Sequence, residues 1–107
     1  MGALSKKLRS MEWGAGGSAI GHWCPGCDGL HVIVVKKADN GPAWEWDGNV
    51  NAPTCSPSVK VTGHDGVCHY YLKGGKIEFC GDSTHEFAGK TVELPDWPYA
   101  EGEYGGV

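Results

Sequence analysis

The stretch VCHYYLKGGKIEFC, residues 67–80, constrains the fold more than any other part of the sequence. Two runs of strand-forming residues flank Gly74-Gly75, a pair that favours the two-residue turn of a β-hairpin. The resulting register places Tyr70 opposite Phe79. Because side chains alternate along a strand, the hairpin has an apolar and a polar face. The apolar face holds Cys68, Tyr70, Leu72, Ile77 and Phe79, and the polar face holds His69, Tyr71, Glu78 and Cys80.

The rest of the chain also favours strands. Its 18 glycines in 107 residues exceed the ~7% that is typical of proteins, which indicates many turns and little helix. The exception is DSTHEFAG, residues 82–89, where Ser83 and Glu86 have capping-box spacing and Gly89 ends a helical turn. We therefore predict a mostly β, small α+β fold: a compact antiparallel β-sheet domain with one short helical turn.

A chain this short can form only one domain, and its composition indicates an extension at each end of that domain. Residues 1–17 are weakly basic and then glycine-rich, which predicts a flexible N-terminal arm. Residues 18–98 form the predicted zinc-binding β domain, and residues 99–107 an acidic, glycine-rich tail.

The segment GHWCPGCDGLH, residues 21–31, carries the clearest chemical signal. Cys24 and Cys27 flank a Pro-Gly turn that presents two thiolates to one metal ion. In redox proteins the same spacing opens a long helix, but here Asp28-Gly29 and a β-branched strand follow. A small glycine-rich domain often needs a metal for stability, and five cysteines are an odd number for a disulfide framework. We predict one Zn²⁺ per chain.

Two further ligands must come from later in the chain. His85 is predicted because it lies on the short capped turn, and His69 because it projects from the polar face of the hairpin. Cys68 is the alternative to His69, since a register slip of one residue would exchange the two faces. His31 coordinates the ion, hydrogen-bonds to a ligand or is simply a histidine at the end of a strand. The predicted metal ligands are Cys24, Cys27, His69 and His85.

Known catalytic patterns are missing from the sequence. It contains no H-E-x-x-H, no zinc-deaminase signature and no phosphate-binding glycine loop, and no Ser-His-Asp arrangement can be argued. A closed structural zinc site is therefore favoured. The enzymatic alternative is a zinc hydrolase in which His85 or His69 is a ligand, Glu86 is the base and water is the fourth ligand.

Charge and hydropathy limit the partners and the location. The net charge of −4, with few and scattered basic residues, argues against nucleic-acid binding. No window holds the ~20 apolar residues of a membrane span, and the start lacks the apolar centre of a signal peptide. We therefore expect a cytoplasmic protein.

The ordered motifs WCPGC, WDGN, PTxSPS, CH, DSTHxxAG and VELPDW resemble an uncharacterised family of small proteins that is common in tailed bacteriophages and prophages. The resemblance implies a phage origin and metal binding, but no activity. Position by position it points to Cys24, Cys27, His31, Cys68, His69 and His85. Cys55 and Cys80 depart from the family pattern, which argues against them as ligands.

Together these features predict a small phage-encoded zinc-binding protein in the cytoplasm of the infected host. It would act by binding a host or phage protein, and inhibition of a host defence system such as CRISPR is one version of that role. The alternatives are the small zinc-dependent hydrolase and a virion or assembly component.

Overall fold

The structure, a computed structural model, describes residues 2–36, 43–63 and 66–99. These residues form nine β-strands in two antiparallel sheets of four and five strands. The strands are β1 (Gly2–Ala3), β2 (Arg9–Trp13), β3 (Gly17–Cys24), β4 (Gly29–Lys36), β5 (Glu45–Trp46), β6 (Cys55–Gly63), β7 (Gly66–Lys73), β8 (Lys76–Phe79) and β9 (Thr91–Glu93). The first sheet has the order β1-β2-β3-β4 and the second the order β5-β6-β7-β8-β9.

The first sheet includes the segment for which the sequence predicts an N-terminal arm. β2 pairs with β3 along its whole length, from Arg9 opposite Gly21 to Trp13 opposite Gly17. Leu8, just before β2, is fully buried. Apart from Tyr99, the predicted acidic tail lies outside the described residues.

The second sheet contains the predicted hairpin, and its register is confirmed. Tyr70 lies opposite Phe79 and Lys73 opposite Lys76. Burial alternates as the two-face pattern requires: Leu72 is fully buried, whereas Tyr71 is 40% exposed. The two faces of β7 therefore differ sharply in environment, and this difference determines which side chains can meet.

The core lies between the two sheets. The first sheet and its β1–β2 connection contribute Ile20, Ile33 and Leu8, which pack in one cluster with apolar residues of the second sheet. Full burial of each large aliphatic side chain contributes roughly 1.5–3 kcal/mol. The remaining core residues are Cys24, Cys55, Val59, Cys68, Tyr70, Leu72, Ile77, Phe79 and Leu94.

The predicted helical turn is wrong, and the described chain is all-β rather than α+β. The Ser83 hydroxyl does not cap a helix, because it accepts a hydrogen bond from His69 N at 3.0 Å and donates one to His69 O at 3.0 Å. Thr84 N donates to Val67 O at 2.9 Å. These bonds hold residues 83 and 84 against β7, and residues 85–89 form turns only. The described residues include no helix that could span a membrane.

Candidate functional site

A tight loop at the end of the β3–β4 hairpin presents the CPGC cysteines. Cys24 and Gly29 form the last pair of this ladder, so the chain reverses through residues 25–28. Asp28 has a φ of 50°, the left-handed conformation that Asp tolerates better than most residues. Cys24 is buried beside the core, while Cys27 is exposed at the tip of the loop.

Two residues from other positions join these cysteines. The sulfur and nitrogen atoms of Cys24, Cys27, His31 and Cys68 all lie within 4.8 Å of one another. The Sγ atoms of Cys24 and Cys68 are 3.8 Å apart. A tetrahedral ion with Zn–S bonds of about 2.3 Å separates two sulfurs by about 3.8 Å. The group therefore has the composition and spacing of a metal site, and it links the first sheet to the second.

The three thiols of the cluster differ in acidity. A hydrogen bond from Cys68, assisted by His31, lowers the pKa of Cys24, whereas the pKa of Cys68 is raised by the same bond and by burial. Cys24 is thus the thiolate of the pair. A cysteine thiol must lose its proton to bind a metal, and Cys24 loses it readily, whereas burial raises the pKa of Cys27.

Tyr70 orients His31 from the core side. Its hydroxyl lies 3.2 Å from Nδ1 of His31 and 2.6 Å from Nε2 of His22. Burial lowers the pKa of His22 to about 4, with the neighbouring His31 as a second cause, so His22 is neutral. With Nδ1 engaged by Tyr70, Nε2 of His31 is the atom available to a metal.

The structure brings together two of the four predicted ligands, Cys24 and Cys27, with Cys68 and His31 beside them. His85 lies next to this group: its Nε2 is 3.3 Å from Cys68 Sγ. Its ring packs so closely on Gly26 that a Cβ there would lie 2.5 Å from the ring atoms. His69 is elsewhere, because it projects from the opposite face of β7.

A cavity of about 400 Å³ opens beside the cluster. Cys27, His31, Cys68 and His85 all line it. It provides a path by which an ion or a chelator reaches the cluster.

His69 forms a second site on the outer face of the second sheet. Its Nδ1 lies 3.0 Å from Oδ1 and 3.1 Å from Oδ2 of Asp82, and its Nε2 lies 3.0 Å from Oγ of Ser58. In the neutral ring that carries its proton on Nδ1, toward the carboxylate, Nε2 accepts a hydrogen bond from the Ser58 hydroxyl. A serine, a histidine and an aspartate bonded in this order have the arrangement of a catalytic triad, and these three residues are the candidate triad.

Local structure explains how the triad is assembled. The β6–β7 register shifts between Cys55 and Val59, so Ser58 lies in a bulge, a feature that redirects a side chain. Asp82 is fixed because Ser83 bonds to both backbone groups of His69. The triad is accessible, since the side chain of Asp82 is 53% and that of His69 24% exposed.

The sequence patterns single out neither Ser58 nor Asp82. The expectation that the chain has no arguable Ser-His-Asp arrangement is wrong, because the structure brings Ser58, His69 and Asp82 together. The capping-box spacing places Asp82 at a helical turn, and the flanking prolines place Ser58 in a stiff loop. The one sequence feature that points to a second site at His69 is the hairpin pattern, which places His69 on the face of β7 opposite to Cys68.

A family model described as bacterial ubiquitination-like system serine protease (BubE) matches residues 4–80 of the chain. No curated protein and no solved structure matches. The match overturns the expectation of a phage-encoded binding protein that inhibits host defence, and it supports neither the zinc hydrolase nor the virion component. Because it covers more than two thirds of the 107 residues, the chain belongs to the BubE family of bacterial ubiquitination-like system serine proteases.

Proposed function

We propose that this protein is a serine protease in which Ser58 is the nucleophile, His69 the general base and Asp82 the residue that orients His69. One observation carries the proposal: both ring nitrogens of His69 are engaged at 3.0 Å, one by a serine hydroxyl and the other by a carboxylate. Membership of a family described as serine proteases supports it independently.

The geometry supports the usual two-step acyl transfer. Oγ of Ser58 attacks the carbonyl carbon of the scissile peptide while its proton passes to Nε2 of His69. Asp82 stabilises the resulting imidazolium. His69 then gives the proton to the departing amine, the C–N bond breaks and an ester to Ser58 remains. Water attacks this ester with His69 again as base, which releases the carboxylic acid product and restores the serine.

The substrate class follows from the family description. Its members are serine proteases of a bacterial ubiquitination-like system. We extend this description to the chain and propose a protein substrate that belongs to such a system.

The cysteine–histidine cluster is proposed as a structural zinc site, separate from catalysis. Cys24, Cys27, Cys68 and His31 supply four protein ligands, which is the closed set of a structural ion. Zinc here would crosslink the β3–β4 loop to β7, so its binding free energy would contribute to folding. Reduced thiols of this kind suit a cytoplasmic protein.

The proposed activity is tested with fluorescently labelled, unfolded casein. Wild-type protein is expected to release soluble fragments, and Ser58→Ala and His69→Gln are expected to lose this activity by at least roughly 10³-fold. Ser56→Ala is the matched control, because Ser56 is an exposed serine on the same strand without a bond to His69 among those described. Equal cleavage by wild type and Ser58→Ala would refute the assignment.

A further inference from the structure

The outer edge of β6 is open directly beside the triad. β5 pairs only with Cys55 and Ser56, and beyond that point no strand of the described chain lies along this edge. The open part covers residues 60–63, which are all exposed. At about 3.4 Å per residue it is roughly 13 Å long. An unpaired edge of this kind is a template for another extended chain.

The hydrogen bonds of β7 show which groups of β6 face this edge. His69 O accepts from Cys80 N at 2.8 Å, and Val67 O accepts from Thr84 N at 2.9 Å, both on the side of β7 away from β6. In an antiparallel ladder the residues opposite such positions also point their backbone groups outward. The opposite residues are Lys60 and Thr62. Their N–H and C=O groups therefore face the open edge.

The open part of the β6 edge ends next to Ser58, the proposed nucleophile. The carbonyl of Ser58 points the same way as those of the alternate residues after it, and it accepts a hydrogen bond from Nε1 of Trp44 at 3.2 Å. Trp44 and β5 thus close the edge on one side of Ser58, while it stays open on the other. A chain laid along the open part reaches Ser58 at one of its ends.

We infer that an extended segment of the substrate polypeptide pairs as an added strand with Lys60 and Thr62 of β6, which delivers its scissile bond to Ser58. This inference rests on the proposed protease function. Recognition of this kind uses main-chain hydrogen bonds, so it selects unfolded or flexible segments rather than a particular side chain. Because Trp44 closes the other side, the pairing covers only one side of the scissile bond.

The test compares Thr62→Pro with Thr62→Ala. Proline removes the outward N–H without breaking the bonds to β7, and an edge strand tolerates proline where its N–H faces solvent. Alanine removes the same side chain but keeps the N–H. A small fluorophosphonate reagent reports the reactivity of Ser58, because it contains no peptide chain. We expect Thr62→Pro to cleave unfolded casein about five- to tenfold less efficiently than Thr62→Ala, with equal rates of fluorophosphonate labelling.

A second measurement uses wild-type protein, so that it does not depend on the folding of the proline variant. A fluorogenic peptide found to be cleaved is resynthesised with each amide N-methylated in turn. We expect slowed cleavage at alternate positions, confined to one side of the scissile bond within about four residues.

The outcomes are distinguishable. Equal casein cleavage by the two Thr62 variants, or a uniform response to N-methylation, would overturn the strand-pairing inference while Ser58 still reacts with the fluorophosphonate. Labelling of Ser58 without any cleavage of casein or peptides would show a reactive serine but refute the protease function, and the inference would be overturned with it. A wild-type protein that neither reacts with the reagent nor cleaves casein would instead refute the protease function itself.

Discussion

Cys68 and His69 are adjacent in the chain, yet their side chains belong to two different sites on opposite faces of the second sheet. Cys68 Sγ lies 3.8 Å from Cys24 Sγ inside the fold, while the His69 ring bonds to Ser58 and Asp82 on the outside. Strand alternation alone produces this separation. One strand therefore anchors both the proposed structural ion and the proposed catalytic base.

Removing the charge that orients the base should slow catalysis without unfolding the protein. In Asp82→Asn the amide can no longer hold Nδ1–H of His69 as a carboxylate does, so we expect kcat to fall by roughly 10²–10⁴-fold. Asp96→Asn, at another exposed aspartate, serves as the control. Casein cleavage rates and thermal unfolding of both variants check this. A kcat equal to wild type in Asp82→Asn would contradict the orienting role.

The loop that carries Asp82 depends on a glycine of β7. A Cβ at Gly66 would collide with the Thr84 side chain, and the φ of 125° is itself unfavourable for other residues. Gly63 lies directly opposite, and a Cβ there would have no neighbouring atom of the described chain within 4 Å.

We therefore expect Gly66→Ala to destabilise the protein by about 1–3 kcal/mol and to lower its activity, and Gly63→Ala to change its stability little. Urea unfolding with activity assays compares the two. Similar stabilities for both variants would show that the contact between Gly66 and Thr84 does not fix the loop.

If the cluster binds zinc as proposed, substitutions of equally buried cysteines should differ in their effects on zinc content and thermal stability. Cys24→Ser and Cys68→Ser should lose bound zinc and unfold at lower temperature, because each removes one of four ligands. Cys55→Ser is the control, since Cys55 is buried in the core but is not part of the cluster. Elemental analysis by mass spectrometry measures the metal content. The absence of bound zinc from purified wild-type protein would contradict the proposed ion.

A pair of histidine variants tests whether His31 or His85 is the fourth ligand. His31 belongs to the cluster, whereas His85 lies outside it, with its Nε2 atom 3.3 Å from Cys68 Sγ. We expect His31→Gln to lower zinc affinity more strongly than His85→Gln, and we expect a loss of roughly 10–100-fold for the latter, as for residues that support ligands. Competition with a chromogenic chelator measures both affinities. The reverse order would make His85 the ligand.

Much of the second sheet could be predicted from local sequence. Gly74-Gly75 determined the hairpin register, and alternation separated Cys68 from His69. The same reasoning failed at residues 82–89, where capping-box spacing suggested a helix. Ser83 and Thr84 hydrogen-bond to β7 instead, and a tertiary partner of this kind leaves no local pattern.

The candidate triad is harder to predict for a related reason. Ser58, His69 and Asp82 are separated by 11 and 13 residues, and no short motif connects them. They meet only because β6 pairs with β7 through a bulge and the chain after β8 returns to β7. The CPGC loop was recognisable because both of its cysteines lie within one turn, whereas Cys68 reaches them through the packing of two sheets.

The assignment of Ser58 as the nucleophile of a serine protease is tested most directly by covalent labelling. Wild-type protein is treated with a fluorophosphonate and digested, and the modified residue is identified by mass spectrometry, with His69→Gln as the control that lacks the base. We expect one adduct per chain, on Ser58, and little labelling of His69→Gln. No adduct, or an adduct on a serine other than Ser58, would contradict it.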